Sequence, residues 1–322
     1  MKKLTFLLIC GLFRFHAFTQ HYCQFASSSN DTVFQDYIER VFDDPVNEEI
    51  IVIGTKISRK NSSNILYRAP FLQKYNYCGN LIFDKGYPQI DSLIVWNHAQ
   101  LLTNRTNIFE PIENRIFKDQ NGLYSIVLRV LDTLTNKLNL IIVGLDGNGS
   151  ISKKVIVPLS DEEFNKYRIK NIKLLSDNKV LLILYNPLIN QYLFMYFDTN
   201  YLLLNKKLYD LNTEISEIEE ITAQNYICAE YGEDLKQFKV FCIDSVGNKT
   251  WEYNPYPSKL GAVRQLRIID NKIIIIGYIY GADPMTPGEG LITTLSTNGK
   301  VVNEITVSDS IGYLKLQSVI KD

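Results

Sequence analysis

One pattern recurs along the chain and constrains its fold more than any other feature. An apolar run is followed by a polar loop, a second apolar run and a tight turn, and the order then repeats. The apolar runs IIVIG (50–54), YSIVLRVL (124–131), KVLLILY (179–185), NYICAEY (225–231) and KIIIIGY (272–278) have the length and β-branched content of buried strands. Each leads, after a variable loop, to a second strand that ends in NYCGN, DGNGS, DTNY, DSVGN or STNGK. Short hairpins need a positive φ near the tip, so Gly or Asn is expected there, with Asp or Ser opening the turn. DTNY has no Gly, and Asn200 is expected to take its left-handed position.

Before most of the first runs lies a further alternating segment with its own turn: NRIFKDQNG, IKNIKLLSDNK, ISEIEEITAQN and VRQLRIIDNK. The unit is therefore four strands, repeated at about 46 to 55 residues over most of the chain, which is the length of a propeller blade. The expected fold class is all-β, a β-propeller of four-stranded antiparallel blades, with five complete blades and a partial sixth. The spacing from the first unit to the second is larger, and the surplus forms an insertion at about 88–111.

The pattern of apolar strand with Gly, loop, apolar strand, Asp/Ser-x-x-Gly turn and apolar strand resembles the repeats of secreted β-propellers of Bacteroidetes-type bacteria. The resemblance covers most of residues 45–322. Such proteins often carry a C-terminal sorting domain; here the last segment, GYLKLQSVIKD, instead matches the inner strand VRQLRIIDNK.

MKKLTFLLICGLFRFHAFTQ has a basic start, a short apolar stretch and small residues at Ala17 and Thr19, as an export signal has. The expected organisation is a signal peptide at 1–19 and a single propeller domain at 20–322. Localisation is then secreted or at the cell surface. No other stretch has the length of a membrane span. The net charge of −1 gives no electrostatic footprint for nucleic acid.

Candidate chemistry is sparse. No G-x-S-x-G, H-E-x-x-H or Walker pattern occurs, and no cofactor or metal is expected. DGNGS lacks the Glu that an EF-hand spacing requires. DSVGNKTW (244–251) invites comparison with the Asp-box turn of sialidases but has one residue too many between Asp244 and Gly247. Read as a hairpin turn, it leaves Trp251 to pack between blades.

Cys228 and Cys242 flank Leu235 symmetrically on one hairpin, so they are candidates for a disulfide. The insertion brings Trp96, His98 and Arg105 together, and the loop YIYGADPMTPGEG (278–290) adds Tyr278 and Tyr280. Aromatic rings and directional donors on loops suit binding of a protein or glycan partner.

The expected function is a non-catalytic binding or interaction module. The alternative is a propeller-type glycoside hydrolase or lyase using carboxylates at the central mouth. Inner strands supply Glu39, Glu113, Glu217, Glu219, Arg264 and Arg267 for that chemistry, and their convergence in one pocket is the discriminator.

Overall fold

The computed structural model describes residues 32–59, 65–87, 96–97, 116–119, 122–132, 137–230, 239–257, 261–279 and 289–307. The expected signal peptide, the partial sixth blade and most of the insertion lie outside them. Almost all of the described chain is strand. Five antiparallel sheets of up-and-down order follow one another, the blades of a β-propeller, as the repeat predicts.

The chain divides into two compact units, one ending at Asn165 and one beginning at Lys166. The first unit holds two sheets. One consists of β1 (Thr32–Asp44), β2 (Glu49–Arg59), β3 (Ile65–Asn76) and β4 (Leu81–Gly86), with the short β5 (Trp96–Asn97) added to β3. The other consists of β6 (Ile116–Lys118), β7 (Tyr124–Asp132), β8 (Lys137–Leu145) and β9 (Ile151–Ile156). Ile51, Ile53, Leu72 and Tyr87 of the first pack on Ile126, Ile141, Val143 and Leu145 of the second.

A short helix, α1 (Asp161–Lys166), follows the second sheet. A capping box starts it: the Ser160 Oγ accepts from the Glu163 N–H, and the Glu163 carboxylate accepts from the Ser160 N–H.

The second unit holds three sheets. They are β10 (Arg168–Leu174) to β13 (Leu203–Asp210), with β11 (Val180–Asn186) and β12 (Gln191–Phe197) between; β14 (Ile215–Thr222), β15 (Asn225–Glu230), β16 (Val240–Ile243) and β17 (Lys249–Tyr253); and β18 (Gly261–Ile269), β19 (Lys272–Ile279), β20 (Glu289–Ser296) and β21 (Val301–Val307). Central strands are buried on both faces, as in VLLILYN of β11, whose Leu181, Ile183 and Tyr185 pack on the fourth sheet. Fourth strands are the exposed edges; every residue of VVNEIT in β21 is exposed.

The turns between third and fourth strands share one construction in all five sheets. The residue at position four donates its N–H to the carbonyl of position one: Gly79 to Asn76, Gly149 to Asp146, Tyr201 to Asp198, Gly247 to Asp244, and Gly299 to Ser296. The side chain at position one accepts the N–H of position five, at 2.9 Å for Asn76, 2.7 Å for Asp146, 2.9 Å for Asp198 and Asp244, and 3.2 Å for Ser296. A register shift sits beside each turn, so these are type I turns with a bulge whose last residue is left-handed. In DTNY that residue is Tyr201, with φ of 63°, and not Asn200. Its ring is buried at 1% exposure, and that burial outweighs the backbone preference for Gly or Asn.

An aromatic side chain from the preceding sheet covers three of the turn glycines. Tyr87 lies over Gly149, Tyr209 over Gly247 and Trp251 over Gly299. A Cβ on Gly299 would stand 2.6 Å from the Trp251 ring, so the close approach itself demands Gly. Trp251 thus packs between sheets, as expected.

Candidate functional site

The first strands of the fourth and fifth sheets carry Glu217, Glu219, Arg264 and Arg267, which the sequence assigned to inner positions, and the first strand of the third sheet adds Lys170 and Lys173. The carboxylate of Glu219 on β14 pairs with Lys173 of β10 at 2.6 Å and with Arg267 of β18 at 3.0 Å. One acidic side chain therefore ties three consecutive sheets together. Arg267 also donates to the Leu266 carbonyl at 2.8 Å. Glu217 lies two residues before Glu219 on β14 and shares its face of the strand, opposite Ala229 as Glu219 is opposite Ile227. The side chains of Glu39 and Glu113 lie outside the described ones.

Each of these first strands also contains a bulge at the same place. The register slips between Ile169 and Asn171, between Ile215 and Glu217, and between Val263 and Gln265, so Lys170, Ser216 and Arg264 are the extra residues. A bulge re-aims the side chain that it inserts. Lys170 pairs with Glu214 at 3.0 Å and lies 5.6 Å from the ring centre of Tyr185. Burial, chiefly, and the Glu214 carboxylate raise the Tyr185 phenol to about 12, against a smaller opposing pull from Arg168. Arg264 repeats the arrangement on Tyr278: its guanidinium is 4.9 Å from the ring centre and donates to the hydroxyl at 2.5 Å. Ser216 instead donates to the Ala229 carbonyl at 3.3 Å.

The candidate binding residues fall unequally on this frame. Tyr278 is buried at 4% exposure, so its ring backs Arg264, and Arg264 is the exposed member of the pair. The two sit where β19 runs towards residue 280, at the end of the sheet away from the Asp270–Asn271 and Ser296–Gly299 turns. Arg264 was legible in the sequence only as one inner-strand charge among several. The signal that singles it out is its alignment with Lys170 and Ser216, visible once the bulges are placed.

Trp96 lies on β5, opposite Leu66 at the far end of β3, so the insertion returns to the first sheet as an added strand. His98, Arg105 and Tyr280 lie outside the described residues.

The expected disulfide is corrected. Cys228 and Cys242 are free, as is Cys78. Cys228 pairs in register with Phe241, and Cys242 with Ile227. Successive residues point to opposite faces, so the two thiols lie on opposite sides of the sheet and have no line of approach. Burial raises both thiols; the neighbouring Cys242 adds to this at Cys228, and a hydrogen bond with Thr250 opposes it at Cys242.

Among the described residues no group of three or more His, Cys, Asp or Glu side chains is placed to hold a metal ion, and no helix is long and apolar enough to cross a membrane.

No protein-family model matches the chain, and no curated protein sequence matches it. Solved structures with a similar fold include an apocarotenoid oxygenase variant from Synechocystis, at 13% identity and a TM-score of 0.43, covering 84% of this chain and 62% of that one. The chain thus spans less than two thirds of that oxygenase. A levansucrase variant from B. megaterium is similar at 8% identity and a TM-score of 0.38, covering 89% and 88%. The β-propeller domain of the Trilobed protease from Pyrococcus furiosus is similar at 9% identity and a TM-score of 0.39, covering 86% and 97%.

Proposed function

We propose that the chain is an exported, non-catalytic β-propeller module that binds a protein or glycan partner at the cell surface or outside the cell. One observation carries this reading: Glu219 is bound to both Lys173 and Arg267. Glycoside hydrolysis needs two carboxyl groups at about 5–10 Å, one of them able to hand over a proton. A carboxylate gripped by two cations is suited to joining strands, and its protonation would sacrifice both partners.

The proposed contact surface of the second unit is the end of its sheets at which Arg264 lies. Arg264, presented on Tyr278, supplies a directional cation there. Tyr280 is a further proposed contact of this unit, and Trp96, His98 and Arg105 are proposed contacts of the first unit by itself. A guanidinium held against an aromatic ring and hydrogen-bonded to its hydroxyl is pre-organised for a carboxylate or a pair of hydroxyls, and loses little freedom when it binds.

The test is retention of the full chain on immobilised mucin, pectin, xylan and hyaluronan, compared with Arg264→Ala. Retention on at least one of them, weakened about tenfold or more by the substitution, supports the reading. Equal retention of both chains removes Arg264 from it.

A further inference from the structure

A crevice of about 220 Å³ opens between the third and fourth sheets, at the end where the Ser176–Lys179 and Ala223–Gln224 turns lie. That is the end opposite Arg264, so this site is independent of the proposed contact surface. Leu175 and Tyr196 are buried at its base, and Leu204 stands half-exposed at its rim. Tyr196 is fixed by a 3.0 Å hydrogen bond between its hydroxyl and that of Tyr226, so the cavity is formed before anything enters.

Its charges cancel and are already engaged. Asp177 and Lys179 form one ion pair. Lys207 donates to the Gln224 side-chain carbonyl at 2.6 Å and lies 5.8 Å from the ring centre of Tyr196. Glu220 accepts the Ser176 N–H at 2.8 Å and the Gln224 N–H at 3.4 Å.

We propose that this crevice binds a single neutral sugar ring. An ionic ligand would have to part Asp177 from Lys179, or Lys207 from Gln224, and would meet a like charge as near as an opposite one. A hydroxyl both donates and accepts, so it uses the remaining carboxylate lone pairs and ammonium N–H groups without breaking either contact. Leu175 and Leu204 offer apolar surface to the C–H face of the ring. The volume is below the roughly 300–1,000 Å³ of pockets for drug-sized ligands, which restricts the occupant to one ring.

The test is calorimetric titration of the full chain with D-glucose, D-galactose, D-mannose and L-fucose, with glucuronate and L-leucine as charged comparisons. One neutral sugar is expected to saturate with a Kd of about 1–10 mM. Leu204→Trp, which fills the rim from an exposed strand, should weaken that binding tenfold or more at unchanged Tm. Asn205→Ala, an exposed lining residue, should weaken it without filling space and serves if the Trp variant does not fold. Failure of all four neutral sugars to saturate overturns the proposal. Binding indifferent to the substitutions, or saturation by glucuronate or leucine instead, also overturns it.

Discussion

Tyr87 donates its hydroxyl to the carbonyl oxygen of Gly149 at 2.7 Å, and the same oxygen of Tyr87 stands 2.7 Å from where a Cβ on Gly149 would be. The glycine is therefore demanded twice, once by its φ of 68° and once by the ring that covers it. Tyr209 with Gly247 and Trp251 with Gly299 repeat the relation in the second unit. Gly79 has a φ of 83° and no atom within 4 Å of its would-be Cβ. Gly79→Ala should then cost only the left-handed strain, about 1–2 kcal/mol. Gly299→Ala adds a steric conflict with Trp251, for a total of about 2–4 kcal/mol. Urea denaturation of the two variants measures the difference, and equal losses would contradict the covering role of the ring.

Tyr201 occupies the same turn position with a φ of 63° and 1% exposure. Tyr201→Gly relieves about 1–2 kcal/mol of backbone strain but removes a buried aromatic side chain worth about 3–5 kcal/mol. The expected net effect is a loss of about 1–4 kcal/mol, measured by the same denaturation. A stabilised variant would show that the ring contributes little.

Cys228 and Cys242 should react with a thiol reagent only after denaturation, whereas exposed Cys78 should react at once. Reducing agent should leave Tm unchanged. Protection of both buried cysteines from the reagent in denaturant, lifted by reduction, would restore the disulfide.

The pH dependence follows from the tyrosines and a few carboxylates. Burial raises the phenols of Tyr124 and Tyr185 to about 12, and it pushes those of Tyr192, Tyr196, Tyr209 and Tyr226 higher still. Unfolded phenols ionise near about 10, so this stabilisation is complete below that pH and is lost as pH rises towards 12 and beyond. On the acid side, a side-chain hydrogen bond from Asn47 lowers Asp44, and the Lys179 contacts outweigh burial to lower Asp177. Their contribution is present above the usual carboxylate range and lost as pH falls through it. Tyrosinate absorbance followed with circular dichroism from pH 9 to 13 should show a set of phenols that ionise only together with unfolding. Free titration of every phenol at about 10 in a folded chain would contradict the burial.

The repeat was readable because three local demands coincide in most units: buried runs, alternating flanks and turns led by Asp, Asn or Ser. What escaped the sequence lies between units. The aromatic covers pair Tyr87, Tyr209 and Trp251 with glycines of the next sheet, and no spacing rule within one repeat reveals them. The symmetry of Cys228 and Cys242 about Leu235 looked like opposition across a hairpin, yet a one-residue offset in register sends them to opposite faces. The bulges that present Lys170 and Arg264 insert a residue without any Gly or Pro to mark them. The return of Trp96 and Asn97 to β3 is a pairing of two residues, below what alternation can signal.

The proposed function requires Glu219 to act as a tie between strands and not as an acid or base. Glu219→Gln should lower stability by about 1–2 kcal/mol, because the Lys173 and Arg267 ends are only partly screened by solvent. The decisive measurement is release of reducing ends from mucin, pectin, xylan and hyaluronan by the full chain, beside its retention on the same polymers and beside Glu219→Gln. Retention without product, unchanged in the variant at a temperature where both chains are folded, is the expected result. Product released by the native chain and abolished in the variant would make Glu219 catalytic and contradict the account.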